Sequence, residues 1–290
     1  MAVRAAVGGS ARNSQFFLEE LLCIVESETV VVKTFKAKSV RQFLKHINTL
    51  DEEWRGPNGD RIELWFRGQS QKQIPKPSLY RGQFRSKSGD SELRIEFERR
   101  GKQFSRDRSP ADHWERYFLM QHFGTPTRLL DWTDGALLAL YFSLRKAITD
   151  GKPQKRAVVW ALDPFSLNKL VVGWKETIAL PGWKEVKPWL PKDPLASLQP
   201  RYPIAIDPTH IDLRLAVQRS HFTLFGRDKS GLERLARRKG KKLRLARIIV
   251  KGRKNVRGIL EELEVCGVRE TSVFPDLEGL SREIADEWRK

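Results

Sequence analysis

Gln121-His122-Phe123-Gly124-Thr125-Pro126-Thr127-Arg128-Leu129-Leu130-Asp131-Trp132-Thr133 is the stretch on which the reading of this 290-residue chain turns. It sets a His, an Arg and an Asp around a tight turn made by Gly124 and Pro126. Asp112 to Phe123, before it, reads as a helix with Tyr117, Phe118 and Met120 inward. After it, Trp132 to Ala147 carries Ala136, Leu137, Leu140, Tyr141 and Leu144 at helical spacing. Asp131 is the natural N-cap of that second helix, with catalysis as its other reading. Arg128 would then pair with Asp131 at i, i+3. His122 is read three ways: a satisfied buried histidine, a general base, or a ligand for a substrate hydroxyl.

Outward from this turn the pattern alternates. Phe16 to Ser27 reads as a short amphipathic helix and Thr29 to Phe35 as a strand. Ser39 and Gln42 fit a capping box ahead of a helix with Phe43, Ile47 and Leu50 on one face. Ile62 to Phe66 is a strand, Ser91 to Phe104 a helix, and Ala157 to Leu162 a strand closed by Asp163-Pro164. Residues 164–208 hold eight of the fifteen prolines together with Trp174, Trp183 and Trp189, and read as one long connection. Leu213 to Phe225 reads as a strand or bent strand pair. Residues 232–266 then run helix, strand, helix. The fold class is α+β, with mixed or antiparallel sheets and surrounding helices. It comprises an N-terminal extension over 1–35 and one domain over 36–290.

Composition narrows the partners. Lys plus Arg is 54 against 36 acids, a net +18, which points to polyanions: RNA, DNA or an anionic membrane surface. Cys23 and Cys266 have neither metal nor redox spacing, so a reducing compartment is expected and no metal site. The first residues lack an apolar signal core, and no apolar run approaches the length of a membrane span. A cytoplasmic protein without a membrane partner is expected. Without a Walker loop, GxGxxG, HExxH or GxSxG, the kinase, dehydrogenase, zincin and α/β-hydrolase readings lose their main support.

Two further segments stand out. In Trp65-Phe66-Arg67-Gly68-Gln69-Ser70 an arginine closes an aromatic strand. The glycine after it would let a ligand approach, and the guanidinium would fork onto a phosphate. The plainer reading is an arginine at a strand end. In Ala216 to Thr223, Gln218, Ser220 and Phe222 share a parity and would present one polar face to a cleft, or form an ordinary edge strand.

These segments together resemble the FRG domain family. The motif that names it stands here as Phe66-Arg67-Gly68, with Pro77-Ser78-Leu79-Tyr80-Arg81, the central stretch Gln121 to Thr133, and Ala139 to Phe142 behind it. Val159-Trp160, Gln218 with Phe222-Thr223, and Phe274 to Leu280 continue the likeness, which spans roughly Trp65 to Leu280. FRG domains look like distant relatives of ADP-ribosyltransferases, so the resemblance implies an ADP-ribosyltransferase-like core and NAD as co-substrate. It implies that Arg67, flanked by Phe66, Gly68 and Gln69, holds NAD. His122, Thr127 and Arg128 would line the nicotinamide-ribose cleft and Tyr141 would stack on the ring. Gln218 stands where such enzymes carry a late-strand Glu; glutamine orients a nucleophile but cannot hold charge beside an oxocarbenium ion. Glu92, Glu96 and Asp131 are the carboxylates left to replace it.

Arg234 to Arg257 contains twelve cations and no acid, leaving 18 − 12 = +6 for the rest of the chain. Single-sign clustering favours phosphate contacts, here assigned to Arg237, Arg238, Lys241 and Lys242. The Trp-rich connection would stack unpaired bases, favouring RNA over DNA, or simply pack on the core. The combined expectation is ADP-ribose transfer from NAD to nucleic acid, most plausibly RNA, by an intracellular toxin or phage-defence effector with a cognate antitoxin. A non-catalytic nucleic-acid-binding module and a transferase acting on protein are the alternatives.

Overall fold

A computed structural model describes residues 32–70, 72–82, 90–104, 112–149, 156–173, 177–190, 200–208, 219–238 and 243–288, without the side chains of 145–149. The chain divides into Met1–Val31 and Val32–Lys290, and all described residues belong to the second unit. The expected elements over Phe16 to Ser27 therefore lie outside the described residues.

Seven strands form one mixed sheet in the order β1-β7-β4-β2-β3-β6-β5. They are β1 (Lys33–Ala37), β2 (Trp65–Gln69), β3 (Leu129–Thr133), β4 (Arg156–Leu162), β5 (Ile204–Ile206), β6 (Ser220–Leu224) and β7 (Leu245–Lys251). β1 runs parallel to β7, and every other neighbouring pair is antiparallel. β1 lies across the boundary expected at residue 35, because its backbone is laddered to β7 as an edge of the domain sheet.

The described helices are α1 (Val40–Glu53), α2 (Ser78–Arg81), α3 (Asp90–Gly101), α4 (His113–His122), α5 (Ala136–Thr149), α6 (Pro164–Val171), α7 (Gly231–Arg237), α8 (Arg253–Val265), α9 (Glu270–Val273) and α10 (Leu277–Glu287). The architecture is α+β. The connection over 164–208 carries more order than its prolines suggest: α6, a 3-10 turn at Lys187–Trp189, and β5. Pro164 opens α6 at its first turn, where a missing N–H costs nothing, and Asp163 caps it.

Register assigns the two faces of the sheet. Phe66, Val159, Ile248 and their alternates pack with α1, α5 and α8 into one core. On the same face farther along, Leu129, Phe222, Leu224 and Ile206 pack against Trp114, Tyr117, Phe118 and Met120, three of them the inward residues expected of α4. The other face carries Trp65, Arg67, Trp160, Trp132, His221 and Arg247.

The central turn folds as its glycine demands. Gly124 takes φ 78°, and Gly124 N and Thr125 N bond back to Gln121 O and Met120 O, closing α4 with a Schellman motif. The chain then enters a strand. Leu129 to Thr133 is β3, and α5 begins at Ala136, so Asp131 is a strand residue and caps no helix.

Candidate functional site

β2 and β3 share a single registered pair, Phe66↔Thr133. Beyond it the Arg67 guanidinium replaces the ladder. Its Nη1 donates to the Asp131 carbonyl at 2.7 Å and lies 3.4 Å from Asp131 Oδ2. Gln121 at the end of α4 donates to both Asp131 carboxylate oxygens, at 3.0 and 2.9 Å. Thr127 Oγ1 in turn donates to Gln121 Oε1. Ser78 and Leu79 of α2 dock on Thr127 through Thr127 N→Ser78 Oγ and Leu79 N→Thr127 O. Residues quoted from three separate motifs thus meet at one corner of the sheet.

The corner is electrostatically unfinished. The Asp131 side chain is 49% exposed while that of Arg67 is 18% exposed. Burial, with Arg81 adding like charge, pulls the Arg67 pKa below its ordinary value against the opposing pull of Asp131. Among the described residues, the buried Arg67 Nε meets no hydrogen-bond acceptor, nor do the indole N–H groups of Trp65 and Trp160 on the same face. A buried donor left unmade costs free energy comparable to a lost hydrogen bond, so such a group favours an acceptor brought by a ligand.

Other expected site residues serve the frame. Gly68 lies against α5: a Cβ there would stand 2.0 Å from Ala139 O and 2.5 Å from Ser143 N, so the close approach it permits is that of a helix backbone. Phe66 is a core residue. Gln69 Nε2 donates to Gln73 O. Thr127 is fully buried. Tyr141 is buried, and its hydroxyl donates to Glu270 at 2.5 Å, which leaves no ring face for nicotinamide.

Arg128 pairs with Asp90 at 2.8 Å, not with Asp131, and donates to Phe225 O and Trp189 O. Burial works against its charge; Asp90 and the Tyr117 hydroxyl more than restore it, so its pKa sits above the ordinary guanidinium value. His122 is half-buried, edge-on to the Phe123 ring. Of the carboxylates considered as substitutes, Glu96 is tied to Arg99 and Arg100 on α3. Gln218, Lys241 and Lys242 lie outside the described residues. Arg237 pairs with Glu233, and Arg238 is exposed just past α7.

A second cluster lies two residues away along β2, and neither spacing nor composition signals it. His221, on β6, stacks on Trp65 with ring centroids 4.6 Å apart. Its Nδ1 lies 2.6 Å from Asp207, and its Nε2 lies 3.6 Å from Glu63 and 3.8 Å from Asp134. Burial, and then contact with Asp134, raises the Glu63 pKa against the pull of His221. Ligand atoms of Glu63, Asp134 and His221 lie within 4.8 Å of one another. Arg219, in the left-handed region at φ 48°, brings Nε to 2.5 Å from Asp134 Oδ1. β6 therefore turns His221 toward this cluster, while Ser220 and Phe222, expected to offer a polar face, are buried on the opposite side. The cluster gathers three carboxylates around one imidazole.

No helix among the described residues is long and apolar enough to cross a membrane. No curated protein and no solved structure matches the chain. Residues 62–152 match the family described as the FRG domain, a shorter range than the likeness read from the motifs. The span from β2 to α5, with Arg67, Gln121 and Asp131, lies inside it, and the chain carries an FRG domain at residues 62–152.

Proposed function

We propose that this protein transfers ADP-ribose from NAD to nucleic acid, with Arg67 and Asp131 as the working pair. The observation that carries the reading is the corner itself: a buried guanidinium with one donor unmade, beside a half-exposed carboxylate. Arg67 suits one phosphate of a pyrophosphate, since a guanidinium binds it through a planar fork. Asp131, held at both carboxylate oxygens by Gln121 Nε2, supplies the negative charge that Gln218 lacks. Held beside the ribose, it favours the positive charge that develops at the anomeric carbon. Bound NAD would supply the ADP-ribosyl group, its bond to nicotinamide breaking as an acceptor oxygen or nitrogen attacks and loses its proton. The fit is to Arg67 and Asp131; Thr127, Arg128 and Tyr141 take no part, being enclosed in the frame. A toxin or defence effector restrained by an antitoxin is the setting this chemistry suits, and the net +18 suits a nucleic-acid acceptor.

Calorimetry with NAD tests the pair. Arg67→Ala and Arg67→Lys should each lose most of the binding, because lysine lacks the fork. NAD affinity unchanged in both would remove Arg67 from the site.

A further inference from the structure

Three adjacent strands gather cations on the sheet face that also holds Arg67. Arg156 on β4 and Lys251 on β7 are register partners. Arg247 is four residues before Lys251, opposite Trp160 on one side and Thr34 on the other. Lys36 follows Thr34 at the same parity on β1. Arg247 Nη1 donates to the Lys72 carbonyl at 3.1 Å, which lays the segment after β2 over these strands. Lys72 thereby joins the group, and its pKa is lowered by Arg156 first, then by Lys251, by burial, and by Arg247 and Lys36.

Lys36 and Lys251 are exposed; Arg156, Arg247 and Lys72 are half-buried. From Arg247 to Lys251 the group runs about 13 Å along a strand, and it crosses three strands at roughly 5 Å spacing. Folding gains nothing from placing like charges at this density; a polyanion laid across them does. In the basic run, Arg234, Arg237, Arg244 and Arg257 each pair with an acid of the chain.

We propose that this face of β1, β7 and β4 docks the sugar–phosphate backbone of a nucleic acid through Lys36, Lys72, Arg156, Arg247 and Lys251. The proposal rests on the nucleic-acid half of the reading above and on none of its NAD chemistry. It also moves the phosphate contacts away from Arg237 and Arg238. The Trp160 ring beneath Arg247 is fully buried, so it stacks no base, and the surface reads charge without sequence. Thr34 and Gln69 are the other outward positions nearby, and the absence of an exposed apolar side chain among these strand positions favours a phosphate backbone over a lipid surface.

The test is equilibrium binding of a fluorescent single-stranded RNA of mixed sequence to the full chain over a salt series. Lys36→Gln/Lys72→Gln/Lys251→Gln should weaken binding equally for all sequences. It should also flatten the logarithmic salt slope by about two units, at roughly 0.7 for each phosphate no longer neutralised. Arg237→Ala/Arg238→Ala should leave the slope close to wild type. Thermal melting of each variant confirms the fold. Wild-type binding with an unchanged slope in the triple variant overturns this surface and leaves the nucleic-acid partner standing. No RNA binding by wild type, or binding only to phosphatidylserine vesicles, overturns both.

Discussion

Two arginine–aspartate pairs sit in one FRG domain and live in opposite surroundings. Arg128 and Asp90 are each 2% exposed, and the guanidinium also donates to two backbone carbonyls. Asp90 is shared with the Tyr117 hydroxyl, which accepts from Arg128 N. Here charge is matched to its partners and locked. Arg67 meets Asp131 at 3.4 Å, keeps its Nε unmade, and faces a carboxylate half open to solvent. Sequence motifs name both arginines alike; burial separates Arg128, enclosed with its partner, from Arg67, whose partner carboxylate is half open to solvent.

Removing each arginine in turn should separate the two most widely. Arg128→Ala leaves Asp90 buried and uncompensated, and should cost about 3–5 kcal/mol, read as a lower denaturant midpoint. Arg67→Ala loses one net hydrogen bond to a carbonyl and relieves an unmade donor, so it should cost about 1 kcal/mol or less. Equal losses would erase the distinction.

Gly68→Ala probes the boundary between frame and site. With α5 backbone atoms where the methyl must go, it should cost at least about 1–3 kcal/mol, the usual range for overpacking, and lower the thermal midpoint. A neutral result would return Gly68 to the ligand side.

The smallest effect is expected at Glu63. Its folded pKa is raised, so just above the ordinary carboxylate value the folded state binds more protons than the unfolded one. Stability contributed by this group is therefore lost as pH rises from that value through the folded one. Glu63→Gln should flatten the fall in a series of urea melts across that window. An unaltered slope would remove Glu63 from the pH dependence in that window.

The motifs that hold Arg67, Gln121, Thr127 and Asp131 are legible in the sequence because each has its own turn chemistry, but their meeting at one corner is not: the sequence reads Asp131 as a helix cap paired with Arg128. The helices are legible from period and capping: Ser39 and Asp112 cap α1 and α4 through Gln42 N and Glu115 N. Asp131 reads as a cap in the sequence because its strand neighbours Leu129, Leu130, Trp132 and Thr133 are buried on both faces, and such a strand lacks the alternation that separates strand from helix. The partner of Arg128 lies 38 residues away, beyond any local pattern. The His221 cluster draws on Glu63, Asp134 and Asp207, and the cationic face on three strands and a loop. Composition counts such charges, but only register brings them together.

Transfer of label from NAD to nucleic acid tests the Arg67–Asp131 assignment most directly. The full chain is incubated with adenylate-labelled NAD, pooled RNA, DNA and cell proteins, alongside Asp131→Asn, which keeps shape and removes charge. The expected result is label on the nucleic acid with wild type, its loss with Asp131→Asn, and melting temperatures that nearly coincide. Equal labelling by the variant, or label on protein alone, would contradict the account.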